Sequence, residues 1–295
     1  MHVPVMRKQV LDYLSPSRNE NFIDCTFEQS GHSLAILKRN RPNGKVLAIE
    51  RDPELYKQFQ ERGKADKQRL VLVNDTYANL KQIVKQTGFP SIKGILMDLG
   101  MSSWHLDESG KGFSFQKDEP LDMRYDPDST SLTAYDIVNS YTEEDITEIL
   151  KEYGQEKLSK QISRKIVEKR KEKPIRTTLD LVEIIWLAMP GRYRRGKIHP
   201  ATKTFQALRI KVNEEIEELK KGLVQAVDVL EEQGCLVVIS FHSLEDREVK
   251  KFFKRGAQLN ILEILTKKPL IADDQEIKVN PRARSAKLRV VRKLI

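Results

Sequence analysis

Asn21-Phe22-Ile23-Asp24-Cys25-Thr26-Phe27-Glu28-Gln29-Ser30-Gly31-His32-Ser33 is the stretch that decides the fold. It reads as a short buried strand closed by a carboxylate, then a loop, then a helix starting near His32. Three similar apolar runs follow, at residues 45–50, 69–73 and 94–98, with helical stretches between them. Asp52-Pro53-Glu54 supplies an N-cap, a first-turn proline and a first-turn acid, which together start a helix. Continuous apolar runs alternating with helices predict βαβ units and a parallel sheet. Three of the four runs end in an acid: Asp24, Glu50 and Asp98. In open α/β sheets the ligand lies beyond the carboxyl ends of the strands.

Outward from this region the pattern changes. No comparable strand is found from about residue 106 to 203. Helical periods at 143–153 and 158–170 dominate, and the loops carry Gly110-Lys111-Gly112, Asp126-Pro127-Asp128 and Pro190-Gly191. The expectation is an α/β core (residues 1–105 and 204–295) interrupted by a mostly helical domain at 106–203. The core resumes with one long helix around 204–232 and a buried strand at 234–240. Late strands are expected at 260–266 and 287–293.

The chain has 295 residues, room for one large domain or two modest ones. Hydrophobic residues make up 39% and charged residues 32%, with both signs interspersed, which excludes wholesale disorder. No apolar run approaches the ~20 residues of a membrane helix. The start lacks the pattern of a signal or transit segment, so a cytoplasmic protein is expected. Lys plus Arg number 52 against 43 Asp plus Glu, a net +9. That balance points to a polyanion, nucleic acid before anionic membrane, unless the protein is merely basic. Two cysteines, Cys25 and Cys235, exclude a disulfide framework and a four-thiolate metal site, and both are expected buried and reduced. The five histidines are scattered without H-x-x-x-H spacing, so no metal site is expected.

The strand–loop–helix at 21–33 can hold an anionic or nucleoside-bearing ligand on the N–H groups of the helix start. It has one glycine and no G-x-G-x-x-G. Glu50 can accept hydrogen bonds from ribose hydroxyls, or be a surface acid at a strand end. Asp98 leads into Leu99-Gly100-Met101-Ser102-Ser103-Trp104-His105, where a carboxylate and two hydroxyls can orient an amine or a cofactor. The plainer alternative is an Asp capping a turn. Tyr77 can stack on an adenine or belong to the core. Ser240-Phe241-His242-Ser243-Leu244-Glu245-Asp246-Arg247 groups Ser, His and Asp, but no G-x-S-x-G elbow exists, and Ser243 to Asp246 matches a capping box. Basic clusters at 164–173, at 192–197 around Tyr193, and at 281–287 suit phosphate contact and base stacking, the first also being readable as a solvated helix face.

Taken together these motifs resemble one family, the bacterial S-adenosylmethionine-dependent 16S rRNA cytosine-N4 methyltransferases (RsmH, formerly MraW). The stretches that carry the resemblance are His2-Val3-Pro4-Val5-Met6, Met97-Asp98-Leu99-Gly100-Met101-Ser102-Ser103, Gly112-Phe113-Ser114-Phe115 and Pro120-Leu121-Asp122-Met123-Arg124. Residues 199–210, 239–247 and 280–289 continue it in family order. The resemblance implies a Rossmann-like class I methyltransferase core with an inserted substrate domain. It also implies S-adenosylmethionine as cofactor and, as substrate, a decoding-centre cytidine of 16S rRNA in the small ribosomal subunit. It places cofactor contacts at Gly31, His32, Glu50, Tyr77 and Asp98, with Ser30 contributing a backbone N–H and His105 a hydrogen bond. Asp98, Ser102 and Ser103 are the expected catalytic residues. Trp104, Phe113 or Phe115 would stack on the flipped base. Arg209, His242, Arg247, Arg282 and Arg284 would contact rRNA. The oligomeric state is left open, a homodimer being compatible.

The chain departs from the family's D-x-T-x-G-x-G-G-H-S loop in carrying Glu28 and Ser30 where glycines are usual, and Trp104-His105 replaces a usual Pro-Gln. Glycine replacement costs roughly 1 kcal/mol wherever a positive φ is needed. The runner-up reading is therefore a non-catalytic rRNA-binding or assembly factor with a degraded cofactor loop. A dinucleotide oxidoreductase is a third reading, and DNA cytosine methylation is chemically equivalent.

Overall fold

The computed structural model describes residues 4–27, 30–62, 68–194 and 199–295. Two compact units emerge, Met1–Gly100 with Ile216–Ile295, and Met101–Glu215.

The first unit is built on β1 (Asn21–Asp24), β2 (Val46–Glu50), β3 (Leu70–Asn74), β4 (Ile92–Asp98), β5 (Cys235–Ser240), β6 (Leu262–Ile264) and β7 (Lys287–Lys293). They form one sheet in the order β3-β2-β1-β4-β5-β7-β6. The first five run parallel, and β7 is antiparallel to both neighbours. A parallel strand covered on both faces is apolar along its whole length. Thus β2 is buried throughout, and β4 is buried except at Lys93. Successive side chains alternate between faces. Ile23, Leu47 and Met97 join one apolar layer, while Phe22, Val46 and Leu96 join the other.

The helices, in chain order, are α1 (Arg7–Leu14), α2 (Gly31–Arg39), α3 (Pro53–Arg62), α4 (Leu80–Thr87), α5 (Ser103–Asp107), α6 (Ala134–Ser140), α7 (Glu143–Glu152), α8 (Ser159–Arg170), α9 (Thr178–Ala188), α10 (Gly191–Arg194), α11 (Thr202–Asn213), α12 (Glu215–Val229), α13 (Ser243–Gln258) and α14 (Asp274–Val279). α5 to α11 make up the second unit around a core that includes Met123, Ile137, Leu150, Ile162, Leu181 and Leu208. Three of its helices begin with reciprocal capping boxes, Thr133 with Asp136, Thr142 with Asp145 and Thr177 with Asp180. Gly112 has φ 78°, and a Cβ there would lie 2.1 Å from the Pro120 carbonyl oxygen. Only glycine fits that turn.

The structure moves several expected boundaries. The second unit ends at Glu215, not 203, because Phe205, Ala207, Leu208 and Val212 of α11 bury themselves in its core. The single long helix expected at 204–232 is two helices, broken at Glu214, whose φ is 51°. Asn213 causes the break: its Oδ1 accepts from the Tyr125 N–H at 2.9 Å and its Nδ2 donates to the Met123 carbonyl at 2.7 Å. The late strand expected at 260–266 shortens to Leu262–Ile264. The capping box of α13 is His242 with Glu245, not Ser243 with Asp246. Cys25 is buried, whereas Cys235 is only half-buried. Among the described residues no helix is long and apolar enough to cross a membrane.

Candidate active site

The sheet order reverses at β1, which has β2 on one side and β4 on the other. Connections leave in opposite directions there and open a crevice beyond the carboxyl ends of the strands. Asp24 ends β1 and Asp98 ends β4, so adjacent strands deliver two buried carboxylates to that crevice. The loop after β1 is pinned from three sides. The Cys25 N–H donates to the Leu96 carbonyl, and the Phe27 N–H donates to the Ile49 carbonyl, both at 2.9 Å. The Asp98 N–H donates to Thr26 Oγ1 at 2.7 Å.

α2 brings the next groups. Ser33 Oγ donates to Asp24 Oδ2 at 2.6 Å. His32 Nε2 stands 3.4 Å from Asp98 Oδ2 with both side chains buried. That approach does not amount to an aligned hydrogen bond. Both His32 ring nitrogens and Asp98 Oδ1 lack a hydrogen-bond partner among the described residues. Burial pushes the Asp24 carboxyl up to about 6, although His32 and the Ser33 hydroxyl favour its charge. At the end of β2, burial pushes Glu50 up to about 8. The Asp52 N–H donates to Glu50 Oε1 at 2.9 Å and opposes that rise, while the Asp52 charge adds to it.

A buried orphaned acceptor incurs the desolvation penalty of an unmade bond. This edge has one on Asp98, and Glu50 holds a carboxyl far from its ordinary range. Such a set fits a cationic ligand with vicinal hydroxyls: Asp24 and Asp98 for positive charge, Glu50 for donors. Ser30 begins α2 with φ 66° and no side-chain cap, so its hydroxyl gives the helix nothing. Gly31 packs beneath Pro4, whose Cγ would lie 3.0 Å from an added Cβ. Tyr77 lies in the short 3-10 helix after β3, half-buried. Its ring rests on Gly222 of α12, where a Cβ would come within 2.5 Å.

The chain matches the model of the MraW methylase family over residues 1–294. The chain belongs to the MraW methylase family. A ribosomal RNA small subunit methyltransferase H of Sulfurihydrogenibium sp. (strain YO3AOP1) is 46% identical over 293 residues, 99% of each chain. One of Clostridium botulinum (strain Kyoto / Type A2) is 43% identical over 309 residues, again 99% of each chain. The first unit, with its mostly parallel seven-stranded sheet, is thus the Rossmann-like α/β part of a methylase-family chain.

The other expected site residues of this MraW-family chain fall into groups. Ser102, Ser103, Trp104 and His105 belong to the second unit. Ser102 is buried and caps α5 by accepting from the Trp104 N–H at 3.2 Å. His105 sits edge-on to Trp104, Phe113 and Tyr125, and Phe113 stacks on Tyr125 at 5.0 Å. Trp104 and Phe113 are both buried. Arg209 forms a forked ion pair with Glu215, at 2.7 and 2.9 Å. His242 Nδ1 accepts from the Glu245 N–H at 3.3 Å, and its Nε2 lies 3.0 Å from Glu245 Oε1 without a hydrogen-bond partner among the described residues. Arg247 and Arg284 are exposed, and Arg282 is half-buried. Glu28, His2 and Val3 lie outside the described residues, as do 195–198 of the basic cluster at 192–197.

Sequence reading passed over three partners. Asp24 was visible as a strand-end acid, but its tie to Ser33 needs the loop's closure. Tyr125 completes the aromatic group and had no sequence signal. Phe115 stacks on His199 at 4.5 Å across 84 residues of chain, a pairing that spacing cannot reveal.

Proposed function

We propose that this chain transfers the methyl group of S-adenosylmethionine to N4 of a cytidine in 16S rRNA, in the decoding centre of the small ribosomal subunit. The match to the MraW methylase family along residues 1–294 carries the reading. The names of the relatives at 42–46% identity support small-subunit rRNA as the substrate. The strand-end acids support the cofactor. A cytoplasmic site of action accords with an rRNA substrate.

When bound, the cofactor supplies an electrophilic methyl on a sulfonium. Glu50 would accept hydrogen bonds from its ribose hydroxyls, an interaction that favours the ionised carboxylate. Asp24, His32 and Asp98 would hold its charged end, with the backbone of Ser30 and Gly31 beside them. Tyr77 would border the base, and the family resemblance adds His105 to the residues assigned to the cofactor.

The cytidine amine is a poor nucleophile because its lone pair is delocalised into the ring. Placement therefore supplies most of the acceleration. Asp98 would accept from an N–H of that amine through its orphaned Oδ1 and take the proton lost as the N–C bond forms and the sulfonium S–CH3 bond breaks, its electron pair returning to sulfur to leave a neutral thioether. Ser102 and Ser103 steady the same amine. Trp104 and Phe113 flank the flipped base. Arg209, His242, Arg247, Arg282 and Arg284 meet the surrounding rRNA.

Incubating the protein with small ribosomal subunits and methyl-labelled S-adenosylmethionine, then digesting the rRNA to nucleosides, tests this reading. The expected product is labelled N4-methylcytidine. Label on another nucleoside, or none, overturns it.

A further inference from the structure

The chain's net +9 hides an uneven distribution. Residues 101–150 hold three lysines and arginines against twelve acids, and residues 151–215 hold seventeen against eight. The second unit is therefore close to neutral, but its later half is strongly basic. Within that half, Lys160 and Arg164 on α8 and Lys171 at its C-cap follow one another at intervals of four and seven residues, all exposed. None of the three has an ion-pair partner among the described residues. α9 packs against α8. Near its end Trp186 is 42% exposed, and Arg194 of α10 holds its guanidinium 5.3 Å from the indole centroid. The Arg194 Nε–H donates to the Met189 carbonyl at 2.9 Å, which fixes the arginine in that position. Tyr193, beside it in α10, is 39% exposed.

We propose that the basic later half of the second unit, with Lys160, Arg164 and Lys171 as phosphate contacts and Trp186 with Arg194 as a stacking platform, docks a single-stranded segment of RNA. The inference rests on the rRNA reading above and adds to it a binding surface. A row of unpaired cations meets a polyanionic backbone, and phosphate neutralisation dominates affinity in such complexes. An exposed indole under a guanidinium offers the flat, cationic surface on which unstacked bases rest. Glu183 is the acid exposed on α9, and the half remains basic with it counted. Leu179 and Leu187 are also exposed on α9, so a second copy of the chain is the competing occupant.

The test uses the full chain and a fluorescein-labelled single-stranded fragment of small-subunit rRNA, read by anisotropy. Trp186→Ala and Arg194→Ala should each weaken binding by about tenfold. The pair Lys160→Glu with Arg164→Glu should weaken it further. The same pair should flatten the dependence of log affinity on log salt by more than one unit, at about 0.7 for each phosphate that is no longer neutralised. S-adenosylmethionine affinity, followed by calorimetry, should stay at the wild-type value and shows that the variants are folded. Wild-type RNA affinity in all variants overturns the proposal, and so does a wild-type protein that fails to bind the fragment. Loss of a dimer in sedimentation on Trp186→Ala, with RNA affinity unchanged, assigns the face to a second copy and also overturns it. The rRNA reading fails separately, through the absence of methyl transfer to small subunits.

Discussion

The two units handle polar groups in opposite ways. The first buries acids at the ends of consecutive parallel strands: Asp24, Glu50 and Asp98 lie at the carboxyl edge of β1, β2 and β4. Two of them are held well above their ordinary range by burial. The second packs aromatic rings around His105 and His199, and pairs its part-buried Arg209 with Glu215. The first construction stores unfavourable desolvation until a ligand relieves it. Cofactor-linked changes in stability and pH dependence should therefore concentrate in the first unit, and packing losses in the second.

The largest expected effect tests the chemical half of that contrast. Asp98→Asn keeps the shape of the side chain and removes its charge and basicity. Methyl transfer in single turnover should fall by about 10²- to 10⁴-fold. Thermal stability should hold or rise, because a buried carboxylate is replaced by an amide. A variant that loses stability and rate together would make Asp98 a structural acid and erase the distinction. Phe113→Ala is the counterpart in the second unit. Phe113 is 5% exposed and stacks on Tyr125. Its truncation should cost about 3–5 kcal/mol by denaturant unfolding, with or without cofactor.

Glu50 sharpens the comparison through pH. Its folded value of about 8 stands above its ordinary 4.5, so the native state holds the proton more tightly than the unfolded chain. Stability from this group is complete below about pH 4.5 and is lost as pH rises toward 8. Thermal melts of Glu50→Gln should lack that decline, and the gap between variant and wild type should widen with pH. Ribose hydroxyls favour the ionised form, so S-adenosylmethionine should bind more tightly as pH approaches 8 in the wild type alone. Parallel pH profiles for the two proteins would remove Glu50 from the cofactor site.

Legibility in the sequence follows the same division. β1 to β5 were visible because strands buried on both faces leave continuous apolar runs, and the acids closing them mark the ligand edge. Lys93 interrupts the run of β4 and hid its first two residues. The break between α11 and α12 was hidden more deeply. No glycine or proline marks it, and its cause is the tie from Asn213 to Met123 and Tyr125, about ninety residues away. His242 as an N-cap was missed because Ser243 beside it is the commoner capping residue. The pairing of His32 with Asp98 needs β1 and β4 to be neighbours, which order along the chain does not reveal. The aromatic group around His105 depends wholly on how loops close.

Ser30 gives the smallest effect and the finest test. Its φ of 66° costs an L-residue roughly 1–2 kcal/mol relative to glycine. Glycine in turn loses more backbone freedom on folding, about 0.5–1 kcal/mol. Ser30→Gly should therefore stabilise the protein by about 1 kcal/mol or less. The Ser30 N–H already donates to the Phe27 carbonyl at 2.8 Å, and its carbonyl accepts from the Leu34 N–H at 2.9 Å. The backbone that glycine would adopt is thus already in place. Cofactor affinity should rise severalfold at most in calorimetric titration. A gain of a hundredfold or more would mean that the serine side chain obstructs the ligand, and that this loop, rather than the strand-end acids, limits what the first unit binds.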